Sequence, residues 1–263
     1  MKDIKIIVAA HKKYKMPEDK IYIPVQVGAE GKNKIEGYQL DNEGDNISSK
    51  NSYFCELTGL YWAWKNLNAN YIGLSHYRRH FSVEKHIAKE TDKKFKSVLD
   101  ERKLRDILKD TDVVLTKKRN YFIENLYSHY EHTTYIEPLD ETRKIIEEKY
   151  PDYLEEFDKL HKRTSAHMFN MFIMKKEILN KYCTWLFDIL FELEKRIDMN
   201  QYDKFHARFF GRISELLLDV WINKNNINYK EVKVIDMENV NWFKKGSAFL
   251  RSKFTGKKYE NSF

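Results

Sequence analysis

Three short apolar runs constrain this chain more than any other feature. Ile4–Ala10 (IKIIVAA), Tyr71–Leu74 (YIGL) and Asp112–Leu115 (DVVL) are nearly continuous in apolar residues. A strand with one wet face alternates; a continuous run fits a strand covered on both faces, as in the sheet of an α/β protein. Between the first two runs, Phe54, Leu57, Leu60, Tyr61 and Trp64 recur at spacings of three and four, one apolar face of a helix. Asn46 or Ser48 caps that helix, which is expected to run to about Leu67. Glu84–Lys109 reads as a charged, helical excursion. The order strand, helix, strand, helix, strand argues for a three-layer α/β sheet with nucleotide chemistry at the strand C-termini.

The rest of the chain fits that frame. The stretch KIYIPVQVGAE is a second short strand, and the Gly-, Asn- and Asp-rich segment Gly28–Gly44 is a loop. A polar, aromatic middle from Asn120 to Thr164 ends in two helices, Leu139–Tyr150 and Asp152–Lys162. Ser165–Met174 reads as a strand, Lys175–Ile197 and Phe205–Asn223 as long amphipathic helices, and Glu231–Asp236 as a final strand. No internal repeat or low-complexity linker interrupts the chain. It therefore reads as one domain over 1–243, a mixed, mostly parallel sheet flanked by helices with a helical C-terminal portion, followed by a basic appendage, 244–263.

Charge narrows the partners. The net charge is +7, which favours polyanions: nucleic acid, anionic lipid or phosphorylated small molecules. Lys244, Lys245, Arg251, Lys253, Lys257 and Lys258 lie in a tail without an acid and with Phe249, Leu250 and Phe254 interleaved. That composition suits an anionic membrane surface as well as a frayed basic end. No DNA- or RNA-binding motif matches, so nucleic acid is the weaker partner. Cys55 and Cys183 lie in apolar helical patterns without a Cys-x-x-Cys partner and read as reduced thiols. With no signal-like N-terminus and no membrane-length apolar window, the expected location is the cytoplasm, soluble or peripheral to the inner face of the plasma membrane.

Several familiar chemistries are absent from the sequence: G-x-G-x-x-G, the P-loop, H-E-x-x-H and G-x-S-x-G. What stands out instead is His76, Arg78 and Arg79 straight after a buried strand. Two guanidiniums meet a diphosphate with forked, charge-assisted hydrogen bonds, doing the electrostatic work of a cation held by acids. The alternative is that both arginines pair with acids elsewhere and His76 is a satisfied core residue. His11 and Lys12 follow the first strand, and Lys50 and Asn51 sit where a helix opens with free N–H groups. His129 and His132 have helical metal-ligand spacing, but their segment reads as loop with no third ligand. His167 and Asn170 suit sugar hydroxyls or capped positions in the core. Glu215 and Asp219 share one face of a largely apolar helix; a carboxylate there is a candidate general base or an ion-pair partner of Arg208 or Arg212.

Together AAHKKY, NISSKNSYFCELTGLYWAWKN, YIGLSHYRRHF, HMFNMFIMKKEILNKYCTWLFDILFELEKRID and RFFGRISELLLDVWI resemble a bacterial family of capsular and exopolysaccharide biosynthesis proteins. The family was long catalogued as a domain of unknown function and is now treated as glycosyltransferases. The resemblance covers about Ile4 to Val234 and implies a GT-A-like fold, a UDP-sugar co-substrate and a growing surface glycan, such as a capsule or O-antigen, as acceptor. Some relatives look like galactofuranosyltransferases, so galactofuranose or galactose is the first donor sugar to test. In that frame Ala10, His11, Lys12, Asn46, Lys50, Asn51, His76, Arg78 and Arg79 serve the nucleotide diphosphate. His129, His132, His167 and Asn170 contact sugar or acceptor, and Glu215 or Asp219 supplies a base. Ser75-His76-Tyr77-Arg78-Arg79 stands where GT-A enzymes carry Asp-x-Asp, so no cofactor or metal is expected. A non-catalytic scaffold of a polysaccharide synthesis complex is the alternative.

Overall fold

The computed structural model describes residues 3–238; the basic tail and the boundary at 243 lie outside the described residues. In chain order the strands are β1 (Ile4–Ala10), β2 (Tyr22–Gln26), β3 (Gln39–Leu40), β4 (Tyr71–His76), β5 (Arg79–Ser82), β6 (Val113–Thr116), β7 (Arg119–Asn120), β8 (Ser165–Ala166), β9 (Phe172–Lys175) and β10 (Lys230–Asp236). The helices are α1 (Asn51–Phe54), α2 (Leu57–Asn66), α3 (Thr91–Phe95), α4 (Glu101–Ile107), α5 (Leu126–Thr133), α6 (Glu137–Lys149), α7 (Pro151–His161), α8 (Lys176–Arg196) and α9 (Phe209–Lys224). Two compact units interleave along the chain. The first takes in Met1–Lys117, Phe169–Thr184 and Ile227–Glu238; the second takes in Lys118–Met168 and Trp185–Asn226.

The first unit holds one eight-stranded sheet in the order β3-β2-β1-β4-β5-β10-β6-β9. The β3-β2-β1-β4 part is parallel. Beyond β4 the sheet turns antiparallel except at β10–β6, so half of its pairings are parallel and the sheet is mixed. It also curls: β9 pairs with β6 and again with β4, closing β4-β5-β10-β6-β9 into a five-stranded barrel. Gly73 makes the closure possible. A Cβ there would lie 2.8 Å from Ile173 Cγ1 and 3.0 Å from the Phe172 carbonyl oxygen. Ile6, Val8, Tyr71, Phe81, Val114 and Ile173 bury themselves around the closure.

Four readings from sequence change here. YIGLSHYRRHF is a strand, a tight turn and a second strand, because His76 pairs antiparallel with Arg79. The helix expected from Asn46 to Leu67 breaks at Cys55, whose φ is +53°. The cause is polar: Asn51 Nδ2 donates to the Cys55 carbonyl (2.7 Å) and to Thr58 Oγ1 (3.1 Å). Thr58 in turn donates to Asp41 (2.6 Å). The excursion Glu84–Lys109 forms two short helices, α3 and α4. Ser165–Met174 splits into β8 and β9, because Phe169 and Asn170 have φ of +78° and +52° and cannot lie in a strand.

The second unit is mainly helical. There α7 lies against α6 and α9, burying Leu139, Ile145, Phe157, Leu160, Ile213 and Leu217. The strands β7 and β8 pair antiparallel at its edge. The segment of His129 and His132, expected as loop, is helix α5, capped by Asn125, whose side chain accepts from Ser128 N at 2.8 Å. Among the described residues no helix is long and apolar enough to cross a membrane. If barrel closure rests on the missing side chain at position 73, Gly73→Ala will cost about 1–3 kcal/mol through overpacking, measured by urea unfolding; an unchanged midpoint would refute that role.

Candidate functional site

Ala9 of β1 pairs with His76 of β4, so the chain leaves both strands at one edge of the sheet. Ala10 is buried, and its carbonyl accepts from Val27 N at 3.0 Å. His11 and Lys12, the next two residues, are exposed. The turn after β4 brings Tyr77 against them. Tyr14 stacks on Tyr77 with ring centroids 3.9 Å apart, and the His11 ring meets both edge-on. Lys12 Nζ lies 5.3 Å from the Tyr14 ring, and the Arg78 guanidinium lies 5.3 Å from Tyr77. The result is an aromatic ledge rimmed with cations, a surface suited to a flat base next to phosphate.

Both arginines have acid partners, as the bland reading of the sequence allowed. Arg79 Nε donates to Asp236 Oδ1 at 2.9 Å, and its guanidinium lies 4.2 Å from the Phe169 ring. Arg78 Nε lies 3.2 Å from Glu238 Oε2, at ion-pair distance but without a directed hydrogen bond. In both pairs the close approach is made by Nε, whereas phosphate is gripped through the terminal nitrogens.

His76 departs from the role expected of it. Its Nε2 lies 2.5 Å from the Phe169 carbonyl oxygen, which fixes the proton on Nε2 and turns the Nδ1 lone pair the other way. Burial, and then Arg79, push its pKa below the usual histidine range, while Glu56 and the Phe169 carbonyl oppose them. A neutral imidazole does not neutralise a diphosphate, so the positive charge at this strand end comes from the arginines.

Glu56, just after the Cys55 break, accepts from Asn170 Nδ2 at 2.7 Å. Phe169 and Asn170 both sit in the left-handed region, and two such non-glycine residues in succession cost on the order of 1–2 kcal/mol each. The site therefore unites His11, Lys12, His76, Arg78, Arg79 and Asn170 from the sequence candidates. It adds Tyr14, Tyr77 and Glu56, which sequence reasoning passed over. The available signal for Glu56 was an acid inside an otherwise apolar helical run, CELTGL.

Other candidates are engaged elsewhere. Asn46 donates to the Asn42 and Gly44 carbonyls and accepts from Ser48 N, which holds its loop. Asn51 is used in the Cys55 break and fills the space that a side chain on Gly28 would need: a Cβ there would lie 2.4 Å from Asn51 Oδ1. Lys50, half-buried, closes the short 3₁₀ turn Ser48–Lys50. In the second unit His129 and His132 both turn Nδ1 to the buried Glu124 carboxylate, at 3.4 and 2.8 Å. His167 and Asp219 are fully buried and bonded to each other through Nδ1 and, at 2.9 Å, through the His167 backbone N–H. Glu215 is half-buried on α9.

A family model described as "Domain of unknown function (DUF4422)" matches residues 5–226. No curated protein matches the chain. Among solved structures, the apo structure of the bifunctional glycosyltransferase WbbM matches with a TM-score of 0.80 and 33% sequence identity. That match covers 90% of this chain and 46% of the other, so this chain spans about half the length of that protein.

His80, beside the site, makes the pH response predictable. It is fully buried, its Nδ1 lies 3.2 Å from Ser75 Oγ, and its Nε2 has no hydrogen-bond partner among the described residues. Burial, and then His76, lower its pKa to about 3. Its folded pKa therefore lies below the ordinary 6.5, and the unfolded chain takes up the proton first. The stabilisation is complete above pH 6.5 and falls as pH drops from there toward 3, by on the order of 2 kcal/mol at pH 5. Because His129 and His161 also have pKa values lowered to about 4 by burial, the test is urea unfolding at pH 7 and pH 5 of wild type beside His80→Phe: the variant should lose less on acidification, and equal losses would contradict the buried neutral imidazole.

Proposed function

The chain belongs to the DUF4422 family, and we propose from that premise that it is a glycosyltransferase of bacterial surface-polysaccharide synthesis. In this reading it has a GT-A-like fold and takes a nucleotide-diphosphate sugar, UDP-linked galactofuranose or galactose first. The acceptor is a hydroxyl of a growing capsular, exopolysaccharide or O-antigen glycan, lipid-linked or free. The observation that carries the reading is the pair Arg78 and Arg79 at the end of β4, beside the Tyr14–Tyr77 ledge. The similarity to a bifunctional glycosyltransferase over 90% of the chain supports the same class.

Transfer breaks the bond between the anomeric carbon and a diphosphate oxygen while the acceptor hydroxyl oxygen forms the new one. Negative charge grows on the leaving diphosphate, and fixed donors aimed at growing charge are the largest catalytic lever proteins have. Arg78 and Arg79 supply it, and the Tyr14–Tyr77 ledge with His11 and Lys12 holds the nucleotide. Glu56, held in place by the buried Asn170 amide, orients sugar hydroxyls. Where the reaction inverts the anomeric centre, Glu56 takes the acceptor's proton. With arginines standing where GT-A enzymes carry Asp-x-Asp, the reaction runs without a divalent cation. Asp219 leaves the list of bases in this reading, because its carboxylate is spent on His167.

Replacing Arg79 by Ala should lower UDP-sugar turnover by about 10²–10³-fold with the thermal midpoint preserved, since Asp236 is exposed enough to be rehydrated. Undiminished turnover would remove the arginine from the diphosphate. Glu56→Gln and Glu215→Gln, assayed side by side, separate the two candidate bases: loss confined to Glu215→Gln moves the role to α9. Turnover should persist in EDTA, and a strict requirement for Mn²⁺ or Mg²⁺ would overturn the metal-free reading.

A further inference from the structure

A turn in the second unit breaks the usual rule for apolar side chains. Between β7 and α5, Phe122 is 82% and Ile123 60% exposed, the two most open large apolar residues among those described. Neither is exposed for want of order in the turn. Tyr121 N donates to the Thr164 carbonyl (2.8 Å), Ile123 N to the Tyr121 carbonyl (2.6 Å) and Leu126 N to the Arg163 carbonyl (2.8 Å). Asn120 Oδ1 accepts from Phe122 N at 2.7 Å. Phe122 is also held at φ +59°, a conformation that Asn or Gly adopts at far lower cost than a bulky side chain. A phenylalanine held outward at a position suited to asparagine calls for an apolar surface from outside the chain.

The surroundings say which surface. Lys118 and Arg119 precede the turn, and the hydrogen bonds to Arg163 and Thr164 bring Lys162 and Arg163 beside it. Arg119 lies over the Tyr121 ring at 5.1 Å. The one acid in the turn, Glu124, faces inward to His129 and His132, which leaves Glu131 as the exposed acid of α5. An apolar tip collared by cations matches the interface of an anionic bilayer: the side chains enter the acyl boundary and the cations meet headgroups. We infer that the Tyr121–Glu124 turn is a membrane-docking tip, with Phe122 and Ile123 inserting into an anionic lipid surface and Lys118, Arg119, Lys162 and Arg163 holding it there. This assignment does not rest on the glycosyl-transfer reading, and it uses no residue of the basic tail.

The experiment is sedimentation of the full chain with vesicles of phosphatidylcholine alone or with phosphatidylglycerol. The wild type should bind only the anionic vesicles. Phe122→Asn/Ile123→Ser, which keeps a residue suited to the left-handed position, should bind at least about tenfold more weakly, as expected where apolar insertion and charge act together. Phe122→Trp should show a blue-shifted emission on anionic vesicles and quenching by lipids brominated near the headgroup. Equal binding by wild type and the double variant, or no binding to either vesicle, would overturn the proposal. Self-association in solution that the double variant abolishes, without vesicle binding, would assign the tip to a second copy of the chain and overturn it as well.

Discussion

The first unit depends on how closely β9 can approach β4. In a parallel α/β sheet, β4 would end at an open edge, and the loop after it would have no floor. Here the missing side chain at Gly73 lets Ile173 and the Phe172 backbone close on β4, and that contact completes the barrel. The register then decides the chemistry. Leu74 faces Phe172, so the residues just before β9, Phe169 and Asn170, arrive beside the residue just after Ser75, which is His76. The contacts of the site follow from that alignment: the Phe169 carbonyl on His76, its ring under Arg79, and Asn170 on Glu56.

A second constraint acts on the other flank. Asp41 is fully buried and accepts from Gly28 N (2.7 Å), Ala29 N (2.9 Å), Ser48 Oγ (2.5 Å) and Thr58 Oγ1 (2.6 Å). A buried carboxylate is tolerable only when its oxygens are met in this way. One side chain thereby ties the end of β2, the 3₁₀ turn and α2 together. The arrangement explains why Asn46 and Asn51 serve the scaffold. The loop that carries Asp41 needs its own amide partners, and Gly28, at φ +62°, makes room for Asn51.

These two constraints also mark the limits of what the chain reveals before it folds. The continuous apolar runs identified β1, β4 and β6, and helical periodicity found α6 through α9 to within a few residues, because both signals are local. The barrel was not legible, since closure depends on one glycine inside a run that reads as an ordinary strand. The hairpin at His76–Arg79 was hidden because cationic residues suggest a loop. At the candidate site, the place of the arginines after β4 was legible from the sequence, while their pairing with Asp236 and Glu238 came from the fold. Glu56, Tyr14 and Tyr77 were not legible: an acid in an apolar run, the one signal for Glu56, also fits a satisfied core position, and Tyr14 and Tyr77 lie among cations and meet only in the fold. His167 and Asp219 lie 52 positions apart in the chain, and only the fold of the second unit brings them together.

The remaining question is why a protein would hold Phe169 and Asn170 in costly left-handed conformations. A strand carried straight through from β8 to β9 would avoid the cost but would point residues 169 and 170 to alternate faces of the sheet. The turn instead aims a carbonyl and an amide toward the same strand end. The carbonyl selects the Nε2–H form of His76, which leaves Nδ1 as an acceptor, and the amide orients one Glu56 oxygen. Burial keeps that imidazole neutral beside Arg79, so the guanidinium meets no competing cation and its pairing with Asp236 remains the main claim on it. Asp236 is partly exposed, which keeps that claim modest. Under the proposed function, the incoming diphosphate would compete with this water-accessible carboxylate for a guanidinium already oriented by the Phe169 ring. The strain is thus spent on aligning donors and acceptors before any ligand arrives, the form in which electrostatic preorganisation is most effective.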